Sequence, residues 1–291
     1  MSDGHTRNET LSRRRQEVRS LKSDFYPFYF FGVLNLSEKV KITVEDSLNT
    51  LKSKLGYNEG YAEEATKLGI YDDIQFGQRP EVTLVTCSDS RVMEKTIDDQ
   101  IGKVFSIKNI GNRVEPNMGS IEYGVNHLHT PILMILGHTG CGAVRAATQD
   151  ATGEHPRIIR SLDFIRPTVS EVQKLLIKKG GMKSYMKNHQ DPPATPISED
   201  TYFETLITEA NVDNQIEILL KDDAIRRKVF SGSLMLVGAM LDFKDVYSKN
   251  RGSIFVININ GETDVGKLKK LDVFAGDGTI VINRIKRLLV Y

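Results

Sequence analysis

The sequence is poor in cysteine, with only two in 291 residues. Two cysteines cannot build the disulfide framework of a small secreted protein. The N-terminal residues also lack the charged, apolar and small-residue layout of a secretory signal. We therefore expect the reducing cytoplasm as the location of this protein.

Net charge and long apolar runs are lacking as well. The chain has 39 basic and 38 acidic residues and a net charge of +1, so no overall field favours nucleic acid or an anionic membrane surface. The longest apolar stretches, residues 25–36 and 131–137, fall short of the ~20 residues that cross a bilayer. The expected partner is a small-molecule substrate, with no nucleic acid and no membrane.

Phosphate-binding loops are absent from the sequence. Gly137, Gly140 and Gly142 have neither the G-x-G-x-x-G spacing of a dinucleotide site nor the lysine of a P-loop. Nucleotide binding is therefore not expected.

Apolar strands that alternate with a helix predict the fold class. Runs over 82–86, 104–107 and 131–136 have the composition of buried strands, and a helix is predicted over 119–128. Strand, helix and strand in this order indicate an α/β fold with a central, mostly parallel sheet flanked by helices. Ligands of such sheets bind beyond the carboxyl ends of the strands. Cys87 and His138 lie at two of these ends.

The remaining chain is expected to surround this sheet. We predict a flexible arm over 1–24 and one domain over 25–291, with an excursion at about 153–200. Six aromatic residues among the seven of 25–31 would pack on the core or on a second subunit. Further elements are predicted as an N-terminal helix over 44–68 with candidate breaks at Gly56 and Gly60, helices over 171–179 and 202–230, a strand over 253–259, and a tail that ends in strand and helix.

Both cysteines lie in short motifs with other chemically active residues, C-S-D-S-R from Cys87 and H-T-G-C-G from His138. Alternation along an extended segment places Cys87, Asp89 and Arg91 on one side. The glycine-rich turn lets His138 and Cys141 reach one ion. Two thiolates and one imidazole form a three-ligand zinc set that leaves a fourth position for water or substrate.

Asp89 and Arg91 are expected to control that fourth position. Zinc with two thiolates and an imidazole carries no formal charge, so it is a weaker Lewis acid than a tris-imidazole site and needs help to ionise water. Asp89 either takes the fourth position itself or turns to Arg91 and leaves it open. Inert core cysteines, a Cys87–Cys141 disulfide and a purely structural zinc with Asp89 as fourth ligand are the alternatives. Inert core cysteines are less favoured because Asp89, Arg91 and His138 would then be placed by chance. A disulfide is less favoured because such bonds are rare in a reducing cytoplasm, and a structural zinc because structural sites prefer four Cys or His ligands.

Four motifs resemble the β-class carbonic anhydrases: C-S-D-S-R-V from Cys87, K-N-I-G-N-R-V from Lys108, S-I-E-Y from Ser120 and G-H-T-G-C-G-A-V from Gly137. The resemblance covers about 78–144, with a weaker echo over 212–242. It implies that Cys87, His138 and Cys141 hold one zinc ion per chain and that Asp89 and Arg91 orient or exchange with its fourth ligand. It also implies a substrate site with Gln78, Phe105, Ile110, Tyr123 and Gly142. The alternative for Gln78 is an ordinary surface amide, and the alternative for Phe105, Ile110 and Tyr123 is an ordinary place in the core.

The resemblance also implies an activity and an assembly. The expected reaction is zinc-dependent reversible hydration of carbon dioxide to bicarbonate and a proton. The alternatives are hydrolysis of carbon disulfide or carbonyl sulfide on the same fold, and a non-catalytic homologue that retains zinc as a binding or assembly module. Because N-terminal helices of this family pack on a neighbouring subunit, we expect a homo-oligomer, at least a dimer.

Overall fold

The computed structural model describes residues 42–150, 153–274 and 278–291. The predicted arm over 1–24 and the aromatic cluster over 25–31 lie outside the described residues. The chain divides into two units, Met1–Lys67 and Leu68–Tyr291, and each is described by itself. The single domain expected over 25–291 stays a prediction.

The described part of the first unit consists mainly of one long helix, α1 (Val44–Leu68), whose last residue is counted with the second unit. Thr43 and Asp46 cap its start reciprocally: the Asp46 amide donates to Thr43 Oγ1 at 3.1 Å, and the Thr43 amide donates to Asp46 Oδ2 at 2.9 Å. Such a cap satisfies amides that lack a partner in the first turn. The helix has the predicted bounds and continues through Gly56 and Gly60, so neither glycine breaks it.

The second unit is built on a five-stranded sheet in the order β2-β1-β3-β4-β5. The first four strands of that order are parallel, and β5 is antiparallel to β4. The predicted mostly parallel sheet is therefore confirmed. The strands are β1 (Val82–Cys87), β2 (Val104–Asn109), β3 (Ile132–His138), β4 (Met235–Asp242) and β5 (Ser253–Ile259).

The register brings the ends of the central strands together. Thr86 lies opposite Leu136 in the β1–β3 pair, and Cys87 lies opposite Asn109 in the β1–β2 pair. His138, the last residue of β3, lies opposite Leu241 of β4. Cys87 and His138 therefore lie at the same edge of the sheet, as the parallel order predicted.

Helices cover the sheet, and one face carries the larger apolar core. Within the described ranges, none of them is both long and apolar enough to cross a membrane. The helices are α2 (Met118–Glu122), a π-helical turn (Tyr123–His127), α3 (Gly142–Thr148), α4 (Pro156–Asp163), α5 (Arg166–Lys178), α6 (Met182–Lys187), α7 (Glu199–Lys221), α8 (Asp223–Phe230), α9 (Val265–Leu268) and α10 (Thr279–Ile282).

Two sequence-based boundaries differ in the structure. The excursion over 153–200 carries three helices, α4 to α6, and its buried residues Leu162, Ile165 and Val172 belong to the main core. The helix predicted over 202–230 is two helices, because Asp222 ends α7 and its carboxylate accepts the amides of Ala224 and Ile225, both at 2.9 Å. A side chain that caps a helix start competes with continuation of the preceding helix.

The C-terminal tail differs from the predicted strand and helix. After α9 and α10, residues 283–291 form no strand and make an isolated bridge between Ile285 and Val256 of β5. Buried carboxylates of α7 hold it instead: Glu209 accepts the amides of Leu288 at 2.8 Å and Leu289 at 2.6 Å, and Asp213 pairs with Arg287 at 2.7 Å. These long-range contacts have no periodic signature in the sequence.

Helix α7 packs directly on glycines of β3 and β4. A Cβ on Gly137 would lie 2.9 Å from Val212, and a Cβ on Gly238 would also lie 2.9 Å from Val212. Such distances do not occur without displacement in a packed interior. The two glycines therefore set the depth at which α7 packs behind the strand that carries His138.

We expect Gly238→Ala to lower the free energy of unfolding by about 1–3 kcal/mol, because the methyl group overpacks the contact between α7 and the sheet. Urea denaturation measures this change. Gly119→Ala is the matched control, since a Cβ there meets nothing within 4 Å and alanine favours a helix. Equal stability of the two variants would contradict the proposed close packing.

Candidate metal centre

Three side chains from the two motifs meet at the carboxyl edge of the sheet. The ligand atoms of Cys87, His138 and Cys141 all lie within 4.8 Å of one another. The two sulfurs are 3.9 Å apart, and all three residues are buried. The structure thus brings together the three residues that the sequence predicted as zinc ligands.

Each ligand is positioned by an element end. Cys87 ends β1, His138 ends β3, and Cys141 precedes the first residue of α3. The turn between the last two passes through Gly140 at φ +68°, where a Cβ would also approach Lys244 to 2.7 Å. The backbone conformation is the reason for glycine there, because other residues rarely adopt it, whereas the Lys244 atoms belong to the end of a long, flexible side chain.

The His138 ring is prepared to act as a ligand. Its Nδ1 lies 3.2 Å from the Thr139 carbonyl, and its Nε2 is buried with no hydrogen-bond partner. A proton on Nδ1 that donates to this carbonyl leaves a lone pair on Nε2. A buried polar atom without a partner is costly, so an ion that bound Nε2 would account for it.

The sulfur spacing fits zinc and does not fit a disulfide. Tetrahedral zinc with Zn–S bonds of ~2.3 Å separates two sulfurs by roughly 3.8 Å, close to the 3.9 Å observed. A disulfide requires a sulfur distance of about 2.05 Å, and both cysteines are free. The donor set of two sulfurs and one imidazole nitrogen suits a zinc ion that keeps one further position.

The two thiols share a proton unequally. The hydrogen bond with the Cys141 thiol lowers the pKa of Cys87 to about 4, while the same hydrogen bond, together with burial, raises the pKa of Cys141. The pair therefore loses its first proton more readily than an isolated thiol does. Metal binding would displace the second proton as well, since thiolates are the metal ligands.

Asp89 lies beside this cluster and is turned toward Arg91. Arg91 Nε donates to Asp89 Oδ1 at 2.9 Å, and Arg91 Nη2 donates to Oδ2 at 2.7 Å. These bonds hold the pKa of Asp89 at about 2, against the opposing effect of burial. Asp89 Oδ2 is still only 3.9 Å from His138 Nε2, so the carboxylate borders the cluster without joining it.

The five predicted substrate residues fall into two groups. Ile110 follows the residue opposite Cys87, and Gly142 follows Cys141. Phe105 and Tyr123 contact each other with ring centroids 5.9 Å apart, and Phe105 precedes the carboxyl end of β2 by four residues, roughly 13 Å. Gln78 precedes β1 and lines a separate cavity of about 480 Å³. In this chain, only the first group adjoins the metal ligands.

Sequence reasoning missed the loop that follows β4. Thr139, inside the His138 motif, places its Oγ1 3.3 Å from Asp242 Oδ1 and accepts the Phe243 amide at 2.7 Å. The Phe243 ring lies 5.5 Å from the His138 ring. Phe243 lies near His138 because β4, which it follows, pairs with β3. In the sequence, only the weaker resemblance over 212–242 indicated β4.

The histidines other than His138 do not enter the cluster in the described part of the chain. His127 stacks on Tyr123, His155 caps α4, and His189 contacts the Leu288 carbonyl. These three rings therefore have their neighbours outside the ligand cluster.

Comparison with known proteins assigns the family. A family model described as carbonic anhydrase matches residues 82–248, more than half of the chain. The chain belongs to the β-carbonic anhydrase family. Carbonic anhydrase 2 of Mycobacterium tuberculosis is 30% identical over 175 residues, which make up 58% of this chain and 73% of that protein. The carbonic anhydrase of Helicobacter pylori is 26% identical over 218 residues, or 69% of this chain and 89% of that protein.

The structural likeness agrees with this assignment. One similar structure is from a report on two tetrameric β-carbonic anhydrases of the fungus Sordaria macrospora. It has a TM-score of 0.59 and 24% identity to this chain, and the match covers 72% of this chain and 98% of that chain. At this identity the likeness shows the fold. The β-carbonic anhydrase fold expected from the sequence motifs is thereby confirmed.

We expect His138→Ala to weaken zinc binding by at least about 100-fold, because it removes one of three ligands and leaves two thiols. Zinc affinity is measured by competition with a chromophoric chelator on metal-depleted protein. His127→Ala is the control, since that ring stacks on Tyr123 outside the cluster. Retention of full zinc affinity by His138→Ala would contradict this ligand set.

Proposed function

We propose that this β-carbonic anhydrase family member catalyses the zinc-dependent reversible hydration of carbon dioxide to bicarbonate and a proton. The observation that carries the proposal is the placement of the Asp89 carboxylate, paired with Arg91, 3.9 Å from the unpartnered Nε2 of His138. A purely structural metal site has no need of an ionised carboxylate held beside it.

The ligands would be Cys87, His138 and Cys141, with one ion per chain. When bound there, zinc supplies the Lewis acidity that ionises water near neutral pH. Asp89 is ionised at that pH because its pKa is about 2, so it acts only as a hydrogen-bond acceptor. It can accept the hydrogen of the attacking oxygen species and so aim a lone pair at the carbon of carbon dioxide.

Arg91 acts in this scheme by orientation. Its Nε and Nη2 donate to Asp89, and Nη2 also donates to the Gly140 carbonyl at 3.1 Å. The guanidinium therefore ties the carboxylate to the turn that carries His138 and Cys141. A Cβ on Gly142 would meet nothing within 4 Å, so space for a small substrate adjoins Cys141.

The second group of predicted substrate residues supports the proposal of an oligomer. Gln78 is exposed and lies beside Lys103, which precedes the first residue of β2, whereas Cys87 is the last residue of β1. Phe105 and Tyr123 also lie back from the metal ligands. These side chains would serve the site of a second copy of the chain, which supports a homo-oligomer of at least two subunits. Residence in the cytoplasm remains part of this proposal.

The activity is tested by stopped-flow hydration of carbon dioxide with protein shown to hold about one zinc per chain. Asp89→Ala is expected to keep the zinc and to reduce turnover by roughly 100-fold, because the reacting oxygen loses its orientation. Asp163→Ala is the matched control, since it removes a carboxylate that pairs with an arginine, Arg166, on the surface; its turnover should equal that of the unmodified protein.

The outcomes separate the alternatives. Zinc without turnover of carbon dioxide would refute the proposal, and assays with carbon disulfide and carbonyl sulfide would then distinguish a sulfur-substrate hydrolase from a non-catalytic homologue. Loss of zinc in Asp89→Ala would indicate that Asp89 is itself a ligand and would refute its orienting role.

Sedimentation equilibrium of the purified chain tests the assembly. Because one chain has a mass of 32.7 kDa, we expect a particle of at least twice that mass. A monomer with full activity would contradict the assignment of Gln78, Phe105 and Tyr123 to a partner's site.

A further inference from the structure

Phe243 lies against two side chains of the metal centre, Arg91 and His138. Its ring centroid lies 4.8 Å from the Arg91 guanidinium carbon and 5.5 Å from the His138 ring. The first distance places a cation over an aromatic face, an attractive arrangement that also fixes the plane of the guanidinium. Among the described residues, Phe243 thus contacts the proposed ligand His138 and the arginine that holds Asp89.

The backbone of Phe243 is tied to the metal-binding turn. Its amide donates to Thr139 Oγ1 at 2.7 Å. The preceding residue, Asp242, is completely buried and accepts the amides of Lys244 at 3.0 Å, Val246 at 3.1 Å and Tyr247 at 2.8 Å. A loop held by so many bonds to one carboxylate keeps the ring in a defined place.

Arg91 needs such support because its side chain is 50% exposed. A long, half-exposed side chain loses conformational entropy when it is held in one geometry, and water competes for its donors. If Arg91 moves, Asp89 loses both side-chain hydrogen bonds at once. Its Oδ2 is 3.9 Å from His138 Nε2, so a released carboxylate lies within reach of the ligand cluster.

We propose that Phe243 is a positioning residue, whose ring holds the Arg91 guanidinium so that Asp89 stays paired with Arg91 and does not become a fourth ligand beside Cys87, His138 and Cys141. This inference rests on the proposed function, because a free fourth position of the ion matters for catalysis only if substrate reacts there. The physical effect itself is a competition between Asp89 and any external ligand for that position.

Azide binding to the cobalt(II)-substituted full-length protein measures this competition, because visible absorption reports the ligands of cobalt. Phe243→Leu retains an apolar side chain and removes the aromatic face. We expect azide to bind it about three- to tenfold more weakly than the unmodified protein, in line with the strength of a partly exposed cation–π contact. Phe243→Tyr keeps the ring and should restore the original affinity.

A double-mutant cycle with Asp89→Ala decides whether Phe243 acts through Asp89. Without the carboxylate there is no internal competitor, so Phe243→Leu should leave azide affinity unchanged in that background. Phe164→Leu is the matched control: it removes another arginine–aromatic contact, with Arg113 at 4.7 Å, and should not alter azide binding.

Unchanged azide affinity in Phe243→Leu, or equal weakening with and without Asp89, would overturn the inference. Phe243→Met replaces the leucine variant if the latter fails to fold or to bind cobalt. Azide titration requires no turnover, so a protein that shows the expected cycle but does not hydrate carbon dioxide would refute the proposed function and leave the role of Phe243 intact.

Discussion

The parallel pairing of β1 with β3 is the interaction on which the metal centre depends. Parallel strands place their carboxyl ends at one edge, and the observed register brings Cys87 next to the strand that ends in His138. A shift by one residue would turn each side chain to the opposite face. Both strands are largely buried, so burial of apolar residues on both faces makes such a shift costly.

A second layer of polar contacts converts this proximity into a defined site. Thr139 and Asp242 connect the ends of β3 and β4, while Arg91 connects the end of β1 to the Gly140 carbonyl. Each contact joins segments that are distant in sequence and close at the sheet edge. Ligand atoms held in this way lose little entropy when a metal binds, and their orientation is set before it arrives.

Behind the site, α7 combines close packing with buried charge. Glycines in β3 and β4 admit the helix, and its Glu209 and Asp213 hold the C-terminal segment through Arg287 and backbone amides. Buried carboxylates are tolerated only when donors surround them. The C-terminal segment is therefore bound to the helix that supports the metal-binding strand, although it contributes no residue to the cluster.

The sequence by itself determined the fold class, three of the four parallel strands and the residues of the metal cluster, whereas β4 was visible only through the weaker resemblance over 212–242. Strand periodicity is local, and the Cys87 and His138 motifs carry their ligands within five residues each. Only the tertiary structure decided that Asp89 turns to Arg91, that Phe243 lies against Arg91 and His138, and that Gln78, Phe105 and Tyr123 lie away from their own cluster. Those facts depend on contacts between segments separated by many residues, whose distances and rotamers leave no periodic pattern in the chain.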